Sequence, residues 1–427
     1  MTIKKNISAR EAAYMAVVGA LRGDSYAADS LHSWRQRNCP LATDARLAQQ
    51  IAYGSIRMAL ALDFYAKQLS HRSPGALKIS ERSLLYCALY QCVYLHRVPL
   101  YAIANEGVAL AKKYSNRFFA SYLNALIRRT AETPIDLPLG SDPRALSVRY
   151  SYPLWFVETL IAAYGVTLSE ALLSHSNKSG LTMARWRPKE PPPYLPRGIR
   201  WFSADPCGMA SVEGYALHSV AASTDWYIQN GTTALLIQAL HRRIWQPRAI
   251  VDLCAAPGGK LLMVHDLYPQ ASLWANDFTR EKVAILEENC NKYGLSVQRS
   301  WGPAELFSSP VPFDLIILDV PCSNSGVLSK RVEARWRLSH TSIQEHLMLQ
   351  RKLVEHACTL LAPHGEIWYL TCSILPEENE LLTNSLCQQL FLEKRIEKII
   401  LPDENGYDGG YGCALRPSCS PTTSLQA

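Results

Sequence analysis

The sequence predicts an α/β protein in which an all-α N-terminal domain leads, through a connector, into a doubly wound parallel sheet. Three observations predict it. Residues 8 to about 132 carry apolar residues at three- and four-residue intervals almost without interruption, the period of helices with one buried face. After residue 247, short apolar runs alternate with helix-period stretches, as they do in a parallel sheet covered on both faces. Between the two, the texture changes to a helix-like piece, a lone strand candidate and the proline-rich turn KEPPPYLPRG. The expected division is 1–138 helical domain, 139–235 α+β connector, 236–416 sheet domain and 417–427 disordered tail.

In the first domain ARLAQQIAYGSIRMALALDFYAKQL and ISERSLLYCALYQCVYL have helical spacing, and HRSPG and HRVPL supply the breaks. Its last segment, KKYSNRFFASYLNALIRRT, suits RNA contact and equally suits a helix that turns its Phe and Leu face inward. In the connector, PLWFVETLIAAYG reads as helix, LTMARWRP as strand, and DWYIQNGTTALLIQALHRR as a strand or loop entering a helix. In the last domain AIVDLC, SLWAND, SVQRSW, DLIILDV and EIWYLTC read as strands. The intervening helices are KLLMVHDLY, TREKVAILEENCNKYG and a long one at about 341–361, with PEENELLTNSLCQQL after the last strand.

A chain of 427 residues exceeds what one core supports. Net charge is +7, yet residues 1–140 hold 18 Lys and Arg against 9 Asp and Glu, so the whole basic excess lies in the first third. That asymmetry fits a polyanionic partner such as nucleic acid, and fits an ordinary solvated basic face as well. The N-terminus, MTIKKNISAREAAYMAVVGAL, lacks the apolar core and cleavage site of a signal peptide. No apolar run is expected to reach the roughly 18 residues of a bilayer span, which points to the cytoplasm. The 12 cysteines contain no CxxC pair, so neither a disulfide framework nor a zinc site is expected.

Chemistry concentrates at strand ends, where doubly wound sheets bind ligands. VDLCAAPGGK, residues 251–260, runs from a strand through a small-residue loop into a helix. It matches neither a Walker A loop nor GxGxxG, so it holds no pyrophosphate cradle. The next strand ends in Asp277, where an acid can accept from ribose hydroxyls, or simply cap the following helix. A nucleoside without phosphates, such as S-adenosylmethionine, fits this loop. Two further strands end in thiols: Cys322 in FDLIILDVPCSNSGV and Cys372 in EIWYLTCSILPEEN. Pro376 is suited to the first turn of a helix, whose positive end would favour a Cys372 thiolate, while Glu377, Glu378 and Glu380 oppose it.

CAAPGGK, DVPCSNSG and YLTCS together resemble the RNA cytosine-C5 methyltransferases that use S-adenosylmethionine. SAREAAYMAV, IAYGSIR and YLNALIRR look like a NusB-type RNA-binding domain. The combination is similar to the bacterial small-subunit rRNA enzymes. The resemblance implies a Rossmann-like class I methyltransferase domain, S-adenosylmethionine as cofactor, and 16S rRNA as partner to a monomeric enzyme. It implies that Cys254, Ala255, Ala256, Pro257, Gly258, Gly259 and Lys260 wrap the cofactor, with Asp277 and Asp319 beside them. Asp319 would also meet the N3 and N4 edge of the base, with Lys260 close by, and Arg331 and Trp336 would lie near the target. It makes Cys372 the nucleophile and Cys322 the helper in product release. The chemistry asks for such groups: a thiolate adding to carbon 6 of cytosine makes carbon 5 enamine-like and able to take a methyl group. On the residues alone either thiol could attack, since DNA cytosine-C5 methyltransferases use a Pro-Cys motif like Pro321-Cys322. Pro303 stands where the family usually has an acid reaching the adenine, which predicts weaker cofactor affinity and leaves an alternative, an RNA-binding assembly factor with a weakened methyltransferase fold. Val332-Glu333-Ala334 also departs from a usual His-Pro-Asp.

Overall fold

The computed structural model describes residues 7–418 except 72, 203–206 and 243. They form two compact units. One runs to Asn177 and takes in Arg331–Arg337; the other comprises Lys178–Lys330 and the chain from Leu338 onward.

Among its described residues the first unit is helical. Seven helices, Ala9–Arg22, Ala27–Asn38, Ala42–Arg57, Ala59–Ser70, Ile79–Tyr94, Leu100–Tyr114 and Arg117–Glu132, pack around a shared core, with Ile79–Tyr94 buried on all faces from Ser83 to Leu89. Ser8 caps the first helix by accepting from the Glu11 N–H, and Gly23 ends it at φ 83°. Small residues let the helices approach: a Cβ added at Gly54 would lie 1.9 Å from the Tyr90 ring. Helices Pro143–Tyr150 and Leu154–His175 complete the unit. The expected connector is therefore divided, because these two helices pack with the first unit, while its strands and the helices Leu217–Ala222 and Gly231–Leu240 belong to the second. Leu154–His175 also corrects the expectation about apolar length, being long and apolar enough to cross a membrane by length and composition. Gly165, at φ 73° and ψ 165°, breaks it into two pieces. Each piece rises about 16 Å, half of a hydrocarbon core.

The second unit holds two sheets. Strands β1 (Met183–Trp186), β2 (Ile199–Trp201), β3 (Met209–Val212) and β4 (Trp226–Ile228) form an antiparallel sheet in the order β2-β3-β1-β4. The larger sheet contains β5 (Ala249–Asp252), β6 (Ser272–Asp277), β7 (Val297–Trp301), β8 (Phe313–Asp319), β9 (Leu361–Thr371), β10 (Leu392–Ile400) and β11 (Gly410–Pro417). Its order is β10-β11-β9-β8-β5-β6-β7. β5 to β9 are parallel to their neighbours as expected, but β10 and β11 run antiparallel, so the sheet is mixed. Alternate residues of β8 enter opposite cores, Leu315 and Ile317 on one face and Ile316 and Leu318 on the other. Burial on both faces is why this strand is an unbroken apolar run. The expected tail starts too early: Pro417 still pairs with Leu392, and the Ser418 N–H donates to the Phe391 carbonyl. Residues 419–427 lie outside the described residues.

Candidate active site

The question posed by two thiols at two strand ends is answered by sheet register. β8 and β9 are parallel neighbours with Asp319 opposite Leu370, so the chain segments that leave them run side by side. Cys322 Sγ and Cys372 Sγ lie 3.2 Å apart. The loops are tied together by backbone: the Gly326 N–H donates to the Cys372 carbonyl at 2.9 Å, and the Gly409 N–H to the Gly326 carbonyl at 2.7 Å. A Cβ at Gly326 would stand 2.4 Å from the Gly409 carbonyl oxygen, so only glycine admits this approach.

The thiols differ in surroundings. Cys322 is buried, whereas Cys372 is half-buried and lines a cavity of about 110 Å³ with Lys260, Asp319 and Asp408. The hydrogen bond with Cys372, burial, and the charges of Cys372 and Glu378 hold the Cys322 thiol well above its usual range. Two like groups this close cannot both ionise. Asn324, at φ 57°, bridges the pair: its Nδ2 donates to the Cys322 carbonyl at 2.9 Å and its Oδ1 accepts from Cys372 Sγ at 3.2 Å. Beneath them Glu378 accepts from the Ser323 N–H at 2.9 Å and from Gln350, and Ser323, Ser325 and Ser373 bond one another. One expectation fails here. Pro376 opens a single 3-10 turn, Pro376–Glu378, and the α-helix starts only at Glu380, too far along for its dipole to reach Cys372.

Lys260 Nζ donates to Asp319 Oδ2 at 2.5 Å. Burial pulls its ammonium down, but the charge and hydrogen bond of Asp319, with Asp252 and Cys372, outweigh burial and leave it raised. Lys260, Asp319 and Thr233 also line an adjoining cavity of about 150 Å³, with Asp252, Cys254, Ala255, Ala256, Pro257 and Gly259. Most of the expected cofactor loop is thus brought together. Gly258, at φ 106°, makes the turn into the helix and does not line the cavity. Nor does Asp277, whose carboxylate accepts from the Ala256 and Phe278 N–H groups and pairs with Lys282 at 3.0 Å. The Cys254 thiol is pushed up by burial and by the charges of Asp252, Asp319 and Asp277. Asp252 carries the sign of an absent partner. It is 1% exposed, its Oδ1 accepts from the Cys254 N–H, and its Oδ2 has no partner among the described residues. An unpartnered buried carboxylate oxygen facing a cavity fits the ammonium of an amino-acid-bearing ligand.

Trp336 and Arg331 are not assembled with these groups. Trp336 packs against the helical core of the first unit and donates its indole N–H to the Ile56 carbonyl at 2.7 Å, while Arg331 is exposed at the start of the same segment. Sequence reasoning missed Asn324, Gly326, Glu378 and Asp408. Only Gly326 had a local signal, as a glycine four residues past Cys322.

A doubly wound sheet with paired thiols and a small-residue ligand loop, in a chain that also carries a helical basic domain, defines a nucleic-acid-modifying methyltransferase. Residues 243–412 match the 16S rRNA methyltransferase RsmB/F family, and residues 7–132 the NusB family. The chain is thus similar to the RsmB/F 16S rRNA methyltransferases over its sheet domain and to the NusB family over its N-terminal helices. A probable ribosomal RNA small subunit methyltransferase B from Synechocystis is 28% identical over 396 residues, covering 88% of this chain and 87% of its own. The Pasteurella multocida ribosomal RNA small subunit methyltransferase B is 28% identical over 87% of this chain and 88% of its own. In fold, the chain is similar to the crystal structure of PH0851, with TM-score 0.74, 20% identity, and coverage of 95% of this chain and 98% of that one. NSun6 from Pyrococcus horikoshii, solved with SFG, matches at TM-score 0.54 and 15% identity over 64% of this chain and 100% of its own.

Proposed function

We propose that this enzyme methylates carbon 5 of a cytosine in 16S rRNA, with Cys372 as nucleophile and S-adenosylmethionine as donor. The observation that carries the assignment is that Cys372, and not Cys322, lines the cavity shared with Lys260 and Asp319. The cofactor, when bound, supplies an electrophilic methyl group. Asp252, with the loop Cys254–Lys260, would hold it, because an orphaned carboxylate oxygen there fits its ammonium. Lys260 holds the Asp319 carboxylate where the base's N3 and N4 edge would lie, and its ammonium interacts with Cys372. The thiolate adds to carbon 6 of the cytosine. Carbon 5 then takes the methyl group, a base removes its proton, and the carbon–sulfur bond breaks to release the product and return the thiolate. Cys322, held as a neutral thiol 3.2 Å away, is placed to return a proton to the departing sulfur. The target base must leave its stack to reach the cavity.

Bisulfite sequencing of 16S rRNA from cells lacking the protein, complemented with wild type or Cys372→Ala, tests the reading. One cytosine should be protected only with wild type. Should wild type protect none while still binding rRNA, the chain acts as an RNA-binding assembly factor instead.

A further inference from the structure

The segment Arg331–Arg337 of the basic stretch LSKRVEARWR builds part of the first unit, where it closes a cavity of about 400 Å³. Three guanidiniums line this cavity, those of Arg22, Arg82 and Arg337, together with Trp336 and two carboxylates, Asp63 and Glu333. Both carboxylates also accept hydrogen bonds, and the Arg82 charge acts on Asp63. Asp63 accepts from the Tyr86 hydroxyl at 2.7 Å, and Glu333 accepts from the Ala27 N–H at 2.6 Å. None of the three arginines makes an ion pair among the described residues, and the Nε atoms of Arg82 and Arg337 are buried without a hydrogen-bond partner. Arg337 lies over the Tyr26 ring at 4.2 Å and donates to the Ser25 carbonyl at 2.9 Å, which fixes its position. Arg22 and Gly23 are exposed, so the cavity has a mouth to solvent.

Three guanidiniums against two carboxylates leave the cavity with an excess positive charge, which a single anion would complete. Their planar, forked donors match phosphate oxygens in pairs. We infer that this cavity is a phosphate-binding site that seats a backbone phosphodiester of the substrate RNA, and that Arg82 and Arg337 are its principal ligands. The inference rests on rRNA being the partner, as proposed above. It gives the basic excess of the first 140 residues a specific anchoring point, and it explains why the RNA-modifying domain lends part of its own chain to the helical unit. The site reads no sequence; it sets where the RNA is gripped.

The test is equilibrium binding of labelled 16S rRNA to full-length protein across 50–400 mM KCl, with thermal melts to verify folding. Arg82→Gln and Arg337→Gln should each weaken binding roughly ten-fold and flatten the plot of log affinity against log salt by about 0.7–0.9, the contribution of one lost phosphate contact. Arg82→Lys, which keeps the charge, should restore most of the slope. Arg46→Gln, on an exposed face outside the cavity, should change the slope by less than half as much. Equal effects at positions 46, 82 and 337 would mean diffuse charge and overturn the site. So would unchanged slopes in variants that melt normally. If 10 mM inorganic phosphate raises the melting temperature of wild type but not of Arg82→Gln while RNA slopes stay equal, the cavity takes a free anion and the RNA assignment is overturned. Methyl transfer by wild type to the same rRNA is measured in parallel, so that loss of the catalytic reading is seen separately from loss of this one.

Discussion

Replacing Asp252 by Asn should make a worse enzyme whose stability, relative to wild type, grows as pH rises. Burial, the Asp319 charge and, more weakly, Asp277 push the Asp252 carboxyl from its ordinary 3.8 up to about 7, against the pull of Lys260 and the Cys254 N–H. Between those values the folded chain holds a proton that the unfolded chain has released. Fewer protons bind the unfolded state there, so stability falls as pH rises from about 4 to 7 and then levels off. Integrated with those two values, this ionisation costs about 2 kcal/mol at pH 5 and about 4 kcal/mol at pH 8. The amide abolishes that cost. It keeps the bond from the Cys254 N–H but leaves its NH₂ where Oδ2 now lacks a partner, a penalty of about 1–3 kcal/mol at every pH. The pH-independent penalty drops out of a difference between pH values. Asp252→Asn should therefore gain about 2–3 kcal/mol relative to wild type on going from pH 5 to pH 8. For a unit of this size that is a relative rise in Tm of about 5–10 °C. Scanning calorimetry of both proteins at the two pH values measures it, and cofactor affinity by titration should fall in the same variant. A Tm difference that does not change with pH would refute the assignment of Asp252 as a buried carboxyl strained by its neighbours, whatever its sign.

Three further outcomes follow from the site. Cys372→Ala should abolish both methyl transfer and the covalent adduct with RNA carrying 5-fluorocytosine, whereas Cys322→Ala should let a protein–RNA adduct accumulate on ordinary RNA, read as a shifted band on a denaturing gel. Gly326→Ala must move the Gly409 backbone away from the Cys372 loop, so kcat should fall at least ten-fold with a smaller change in cofactor affinity, measured by labelled-methyl transfer and titration calorimetry. Pro303→Asp should tighten S-adenosylmethionine binding several-fold; an unchanged dissociation constant would show that the adenine is held without this position.

The legible parts of the fold were those in which burial writes a pattern. β5 and β8 are apolar along their length because helices cover both faces, and a continuous run is easy to read. β10 and β11 escaped for opposite reasons. β10 is an edge strand, LEKRIEKII, whose Lys394, Arg395 and Glu397 make ion pairs and keep the open edge charged. β11 opens with Gly410 and Gly412, poor strand residues by propensity; at Gly410 an added Cβ would stand 3.0 Å from the Thr371 carbonyl oxygen. In the site, the thiols, Lys260 and Asp319 were visible as reactive side chains at strand ends. Asn324 and Glu378 were not, since they act through contacts some fifty residues away in sequence. The segment Arg331–Arg337 gave no sign of joining the first unit, because Arg335 makes its contacts with the Arg57 and Ser151 carbonyls, Asn177 and the Tyr152 ring, all more than 150 residues away.

The pairing of two thiols at 3.2 Å bears on the proposed roles, a choice that motif spelling leaves open. Cys322 is buried, and its hydrogen bond with Cys372, its burial and the Glu378 charge hold its thiol well above the usual range. Cys372 faces the cavity and lies where the Lys260 ammonium interacts with it. These surroundings support Cys372 as the proposed nucleophile and Cys322 as the neutral thiol beside it. One arrangement would then serve both half-reactions: a nucleophile exposed to the base, and beside it an acid within reach of the same sulfur when the product leaves.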